Sequence, residues 1–350
     1  MSSYVSWFAT IGLTDRPTVG GKGASLGELE RAGIRVPPGF VVTTAGFERL
    51  LAALEQDEPV RERIAALSPD DLGSVTRLCA EVRERIETAE LPDELLSAIA
   101  TAYAELCRGS NEAPVAVRSS ATSEDSADAS FAGLQDTYLW VRGAEGVARS
   151  VRSCWASLYS VESVTYRLRL KLPESNVAMG VVVQRMVNSQ CSGVMFTRSP
   201  TTGDRSVIAI EGSWGLGSSI VSGEVTPDKY VVSKVTGEIV NRTVSQKLMQ
   251  HLPDHSGSGV RHEPVPEDQQ SQACLTDDQI AELVQVARRV ERHYGCAQDI
   301  EWAIAHGEPG IYLLQSRPET VWATRDKNPV AAPKAKAFDH VLTLLGGRQR

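Results

Sequence analysis

The sequence predicts an α+β chain on three observations: a long stretch of helical periodicity, a later stretch of short β patterns between Gly and Pro turns, and a strand–turn–strand near the end. Gly20, Gly21 and Gly23 surround Lys22 in a loop, Leu26 and Leu29 follow at helical spacing up to Gly33, and Val36-Pro37-Pro38-Gly39 turns the chain into a strand at Phe40 to Thr44. From Ala45 to Arg108 the pattern is helical, with Leu50, Leu51 and Leu54, then Val75, Leu78, Val82 and Ile86, then Leu95, Leu96 and Ile99, the last group opened by Pro92. A short strand at Val115 to Val117, a Ser/Thr/Asp/Glu-rich loop from Ser119 to Ser130, a strand at Thr137 to Val141, a helix through Tyr166 and an apolar strand at Met179 to Val183 come next. The β-rich part is expected at Gly193 to Thr197, Ser206 to Glu211, Lys229 to Ser233 and Glu238 to Arg242. His251 to Gln272 is polar, with Pro and Ser, and reads as a mobile loop. Thr276 caps a helix whose apolar stripe is Ile280, Leu283, Val284, Ala287 and Val290 and whose end is due by Gly295. Strands at Gln298 to Ala305 and Ile311 to Arg317 flank the turn His306 to Gly310, and Asn328 to Lys336 reads as a linker before a short amphipathic piece bearing Phe338, Val341, Leu342 and Leu345.

Composition narrows the function classes. The 350 residues are 42% hydrophobic and 23% charged with a net charge of -8, which suits a folded chain with one large core or two modest ones and gives no basic excess for non-specific binding of nucleic acid or an anionic membrane surface. The first twenty residues lack a basic start with an apolar core, and the longest apolar stretches, such as Val177 to Val183, fall well short of the roughly 18 residues that span a bilayer. A cytoplasmic protein is expected. The six cysteines are scattered without a CxxC pair, as free thiols in a reducing compartment would be.

Five segments carry residue types suited to chemistry. If the last turn is centred on Glu308, Glu301 stands opposite Gln315 and Asp299 opposite Arg317, all four on one sheet face, while Ile300, Trp302 and Ile304 face the other way. A carboxylate beside an amide oxygen suits Mg²⁺, with Arg317 free to meet phosphates; an ordinary solvated salt bridge is the alternative. Lys22 among glycines before a helix suits an anion, or is an exposed lysine in a turn; it is not a Walker A motif, since Gly23 follows it. Arg118 ends a strand beside hydroxyls and can clamp phosphate bidentately or lie at a helix-cap cluster. Gln184-Arg185-Met186 leaves a buried strand, either as a backbone hinge beside a purine or as plain strand exit. Gly212 to Ser218 follows Glu211 as a second glycine-rich loop or a β-bulge region; Ile220 stands where a dinucleotide fingerprint needs glycine.

Taken together, VGGKGASLGEL, VPPGFVVTT, PVAVRSSATSED, ASFAGLQDTYL, VVVQRMV, SGVMFTRSP, GSWGLGSSIVSGEVTPDKY, DIEWAI and LLQSRPET, in that order from Val19 to Val321, resemble the ATP-binding domain of the phosphoenolpyruvate synthase and pyruvate, phosphate dikinase family. The resemblance implies an ATP-grasp fold of two lobes clamping ATP, here residues 1–185 and 186–323, with 324–350 as linker and tail. It implies Lys22, Arg118 and Arg317 as catalytic phosphate contacts, Gly133, Thr137, Gln184, Arg185, Met186, Glu211, Gly215, Gly217 and Gln315 as further ATP-binding residues, and Glu301 with Gln315 as the Mg²⁺ ligands. Two positions depart from the family: Ser218 replaces the glutamate of GLGE, and Leu134 replaces a glutamine. The family's chemistry moves the β-phosphoryl of ATP to a histidine of a swivelling domain, releasing AMP and phosphate. None of His251, His255, His262, His293, His306 and His340 has that histidine's Thr-Ser-His or Gly-Gly context, so the implied partner is a histidine-bearing swivelling-domain subunit, with a small-molecule acceptor bound elsewhere. Within the family the ATP-binding subunit of phenylphosphate synthase shows this division of labour, and the resemblance implies a small acceptor such as phenol. A split phosphoenolpyruvate synthase, a rifampicin phosphotransferase-like enzyme and a non-catalytic ATP-sensing module are the alternatives.

Overall fold

Val-, Ile- and Phe-rich strands assemble into two antiparallel sheets, each with its own core. The computed structural model describes residues 3–109, 112–122, 136–257 and 259–326. The first sheet takes β1 (Val5–Trp7), β2 (Gly39–Val42), β3 (Val115–Ala121), β4 (Thr137–Val141) and β5 (Met179–Arg185) in the order β1-β2-β5-β3-β4. The second takes β6 (Ser189–Phe196), β7 (Val207–Trp214), β8 (Asp228–Ser233), β9 (Ile239–Thr243), β12 (Gln298–Ala305) and β13 (Ile311–Pro318) in the order β13-β12-β6-β7-β8-β9. Strands β10 (Met249–Pro253) and β11 (Val260–Pro264) pair with each other. The helices are α1 (Arg16–Arg31), α2 (Thr44–Leu54), α3 (Val60–Ala65), α4 (Leu72–Thr88), α5 (Asp93–Leu106), α6 (Ala144–Ser157), α7 (Val161–Arg169), α8 (Ser218–Val221), α9 (Glu267–Gln270), α10 (Asp277–Tyr294) and α11 (Val321–Asp326). Residues Met1–Pro318 form one compact unit that holds both sheets, and Glu319–Arg350 a second that includes α11. The α+β class is as expected. Among the described residues no helix is long and apolar enough to cross a membrane.

Strand alternation divides the packing. Phe40, Val42, Val115, Val117, Val181 and Val183 turn to one face of the first sheet and bury against Phe47, Val82, Leu95, Val151 and Trp155 of the helices. Val41 and Val182 turn to the opposite face, under Val19, Ala24 and Leu26 of α1. In the second sheet Met195, Ile208, Ile210, Ile300, Trp302 and Leu313 meet the α10 stripe of Ile280, Leu283, Val284, Ala287 and Val290; each such aliphatic side chain contributes about 1.5–3 kcal/mol by leaving water. Helix α10 starts as expected, with Thr276 and Gln279 exchanging side-chain hydrogen bonds with each other's backbone N–H, and ends at Gly295 in the left-handed region. All six cysteines are free thiols, and only Cys296 is exposed.

Several elements differ from the sequence expectation. The stretch from Ala45 to Arg108 is four helices, and the one expected through Tyr166 is two, α6 and α7. Strand β3 runs on to Ala121 and so takes in Ser119 and Ser120, expected in the acidic loop; residues 123–135, with Gly133 and Leu134, lie outside the described residues, as does the tail from 327. The glycine loop around Lys22 is instead flanked by helix on both sides, and the break is confined to Gly20. Its φ of 73° is left-handed, and a Cβ there would stand 1.8 Å from the Ser120 carbonyl oxygen. Ser120 fixes the break by donating from Oγ to the Val19 carbonyl at 2.8 Å and accepting from the Gly23 N–H at 3.0 Å.

The largest correction concerns His251 to Gln272. It is the β10–β11 hairpin and α9, not a mobile loop. Its polar composition hid the anchor just before it: Lys247, fully buried, donates from Nζ to Oδ1 of the fully buried Asp228 at 2.6 Å. The Asp228 carboxylate also accepts from the N–H groups of Ser245 and Cys274, at 2.9 and 2.8 Å, so the buried charge is satisfied.

Gly20→Ala should lose about 2 kcal/mol or more of stability, because it combines a strained φ with a backbone overlap that only movement of β3 relieves. Urea unfolding with an unchanged m-value checks this; a loss under 0.5 kcal/mol would show that the break tolerates a side chain.

Candidate functional site

Period-two alternation sends Val115 and Val117 into the helical core and leaves Ala116 and Arg118 on the other face of β3, toward β12 and β13. The Arg118 side chain, 12% exposed, crosses to the second sheet. Its Nη1 donates to the Leu314 carbonyl at 3.1 Å, and its Nη2 donates to Glu301 Oε2 at 2.9 Å and to Gln315 Oε1 at 2.6 Å. The acceptors come from the hairpin as its spacing predicts: Glu301 pairs with Gln315 and Asp299 with Arg317. The register shifts between Glu301 and Trp302, leaving Leu314 as an extra residue on β13, so its carbonyl faces Arg118. Across the sheet, Gln315, Glu301, Val194, Glu211 and Lys229 form one cross-strand row, and Lys229 closes it on Glu211 at 3.0 Å.

Beside this row lies a cavity of about 330 Å³, a size suited to a small-molecule ligand. Its walls are apolar in the main (Ala116, Leu139, Met186, Val187, Val194, Leu216, Leu314), with Arg118, Thr137, Gln184, Arg185, Gly217, Ser218 and Glu301 among the polar and glycine positions. The exit of β5 is fixed by backbone bonds: the N–H of Arg185 donates to the Pro38 carbonyl and that of Met186 to the Pro114 carbonyl, both at 2.9 Å. The VPPGF turn therefore holds the Gln184–Met186 segment at the wall.

Of the residues singled out from sequence, Arg118, Thr137, Gln184, Arg185, Met186, Gly217 and Glu301 meet at this cavity. Gln315 lies buried behind it, on Arg118. Arg317, about half exposed, donates from Nε to Asp299 Oδ2 at 3.3 Å. Glu211 shares the row of Glu301, while Gly215, at φ 75°, sits against the His251 carbonyl. Lys22 is in α1 and does not line the cavity; burial and then the Asp136 charge push the Cys154 thiol pKa well up, and the Lys22 charge offsets only a part of that. The donor set fits Mg²⁺: the Glu301 and Gln315 oxygens are hard ligands that already converge on a single cationic nitrogen.

A cluster missed by sequence reading adjoins the cavity. Ser218 Oγ lies 2.8 Å from His251 Nδ1, and His251 Nε2 lies 3.0 Å from Glu224 Oε2, which His262 Nδ1 approaches to 3.3 Å. His251 is buried on β10, not part of the mobile loop expected from His251 to Gln272. Its signal was the turn Asp254–Gly257 between two short segments, which gives the hairpin and sets the two histidines opposite each other.

The sequence profile of the pyruvate phosphate dikinase AMP/ATP-binding domain matches residues 16–337. The chain belongs to this family. It is similar to a probable phosphoenolpyruvate synthase of Methanothermobacter thermautotrophicus, 44% identical over 322 residues that cover 91% of this chain and 46% of that one. A rifampicin phosphotransferase of a Streptomyces species is 45% identical over 303 residues, 86% of this chain and 34% of that one. The chain thus spans less than half the length of these relatives. Among solved structures, D-alanyl-alanine synthetase A of Vibrio cholerae overlaps 69% of this chain and 54% of its own at a TM-score of 0.27 and 11% identity, a likeness too weak to bear on fold or function.

The Arg118–Glu301 contact should be measurable as a coupling. A double-mutant cycle with Arg118→Ala and Glu301→Ala, read by urea unfolding, should give about 1–2 kcal/mol, the value of a charge-assisted bond discounted for partial exposure. Additive losses would mean that the two sheets are not joined through this pair.

Proposed function

We propose that this chain is the ATP-binding part of a dikinase-type phosphotransferase, with the nucleotide between the two sheets in the ATP-grasp manner, residues 1–185 and 186–323 acting as the two lobes. The supporting observation is the meeting of Arg118 with Glu301 and Gln315 at the wall of the cavity that Gln184–Val187 also line. The apolar wall with a strand exit beside it suits a purine, and the guanidinium and acid of the same cavity suit a charged polyphosphate. Arg118, at the cavity wall, would neutralise and orient the phosphates; Lys22 and Arg317, which lie off that wall, are given phosphate contacts by the family resemblance alone; and Glu301 with Gln315 would hold Mg²⁺, which when bound screens phosphate charge. Phosphoryl transfer asks of the protein mainly positioning and charge stabilisation, which such a set supplies.

The reaction, carried over from the family resemblance, joins an imidazole nitrogen to the β-phosphorus; the bond from that phosphorus to the oxygen of AMP breaks, and water takes the γ-phosphoryl as phosphate. On this reading the acceptor histidine belongs to a swivelling domain, taken here as a partner subunit, for onward transfer to a small molecule. Phenol is the proposed final acceptor, as in phenylphosphate synthase; acceptors of the phosphoenolpyruvate synthase or rifampicin phosphotransferase kind are the alternatives.

Alone, the chain should bind ATP with Mg²⁺ and release no AMP at a catalytic rate; rapid AMP formation would contradict the partner histidine. With a histidine-bearing partner and β-labelled ATP, Glu301→Gln should keep the fold by thermal unfolding yet lower phosphorylation of the partner by at least about 100-fold, since electrostatic catalysis is worth several kcal/mol and a surface salt bridge about 0–1. A rate within a few-fold of the parent would leave Glu301 a plain sheet residue. Arg317→Lys should recover little of the activity lost in Arg317→Ala, because an ammonium cannot reproduce a bidentate fork.

A further inference from the structure

Away from the Arg118 row, the β10–β11 hairpin brings two imidazoles and a carboxylate together. His251 and His262 are direct cross-strand partners, with rings stacked 3.9 Å apart between centroids. His251 Nε2 and His262 Nδ1 stand 3.0 and 3.3 Å from the same oxygen, Oε2 of Glu224, and one ligand atom from each of the three residues lies within 4.8 Å of the others. We propose that Glu224, His251 and His262 form a binding site for a divalent transition metal of the Zn²⁺ class.

The spacing is the first argument. Four donors at about 2.0–2.1 Å from a tetrahedral ion stand roughly 3.3–3.4 Å from one another, and the two measured nitrogen–oxygen separations lie at or just inside that value. The donor types are the second argument, since imidazole with carboxylate suits Zn²⁺, Cu²⁺ or Ni²⁺, whereas Mg²⁺ favours oxygen alone. The third is the support behind the buried ligand. Ser218 Oγ bonds His251 Nδ1 at 2.8 Å, which fixes the ring and leaves Nε2 toward Glu224, as outer partners of metal-bound histidines do. The His251 carbonyl accepts from the Leu216 N–H at 2.9 Å, so the backbone that carries the ligand is fixed as well.

The three ligands also line a second cavity of about 510 Å³, which shares Thr137, Leu139, Ser218 and Ser222 with the first. Three protein ligands leave a fourth coordination position toward that space. The bound ion ties the hairpin to the segment from Leu216 to Glu224, and so holds Ser218, the residue that replaces the family's glutamate, at the wall of the first cavity. The site itself does not rest on the nucleotide reading and is tested without nucleotide.

The test uses the full chain, dialysed against chelator, with Co²⁺ as the spectroscopic probe and Zn²⁺ as competitor. One Co²⁺ per chain should bind with the visible d–d absorption of a low-coordinate nitrogen–oxygen site and no thiolate charge-transfer band; one equivalent of Zn²⁺ should bleach it, and millimolar Mg²⁺ should not. His262 and Glu224 are each about half exposed, so His262→Ala and Glu224→Gln should fold normally by circular dichroism and lose Co²⁺ affinity at least about 100-fold. Ser218→Ala should weaken it about 10-fold or more through loss of the outer partner. Absence of the band in the parent chain would overturn the site. A band of unchanged intensity and affinity in both His262→Ala and Glu224→Gln would do the same, by assigning the metal to another place such as the exposed Cys296.

Discussion

The arrangement depends on one guanidinium. Arg118 belongs to the first sheet, and its described acceptors, Glu301, Gln315 and the Leu314 carbonyl, belong to the last hairpin of the second. Each sheet has its own core, and α1 joins the two by apolar burial, with Val19 and Leu26 on the first sheet and Leu29 in the core of the second. Polar contacts of the same helix link the two sides as well: its Ser25 Oγ donates to the Ser316 carbonyl of β13 at 2.6 Å, and its Glu28 meets His293 of α10 at 2.7 Å. Ser316 and Gln315 are neighbours, so the Ser25 and Arg118 bonds end at the same point of the hairpin.

That contact also explains why the cavity suits a metal-bound polyphosphate on the proposed reading. A carboxylate and an amide oxygen that hold a guanidinium are equipped to hold another cation, and a guanidinium that holds a carboxylate is equipped to hold phosphate. Arg118 would exchange its acid for phosphate oxygens while Glu301 and Gln315 would turn to the metal. The charges are then matched in both arrangements, and no buried charge is left alone in either.

How much of this was legible in the sequence follows from the range of the interactions involved. The β12–β13 register could be read because a short turn and a period of two leave little freedom, and α10 because its cap, stripe and glycine stop all agree. The bridge between Arg118 and Glu301 could not, since it joins residues 183 positions apart in different sheets. The Leu314 bulge has no signal in a regular apolar–polar alternation. The β10–β11 hairpin was hidden because its anchors, the buried Asp228–Lys247 pair just before it and the Leu216 N–H on the His251 carbonyl, join residues distant in sequence, and the helix break was read as a wider loop because three glycines mark it while only Gly20 needs the freedom. Lys22 carries a phosphate-type motif and yet lies off the cavity wall, which a motif alone could not show.

Placement of the nucleotide base is the central claim that a single measurement reaches most directly. Photolabelling the chain with 8-azido-ATP and Mg²⁺, followed by peptide mapping, should put an ATP-protected adduct on the peptide that contains Gln184 to Val187, at the exit of β5. An adduct confined to the β10–β11 hairpin, or labelling that excess ATP does not prevent, would contradict a nucleotide held between the two sheets.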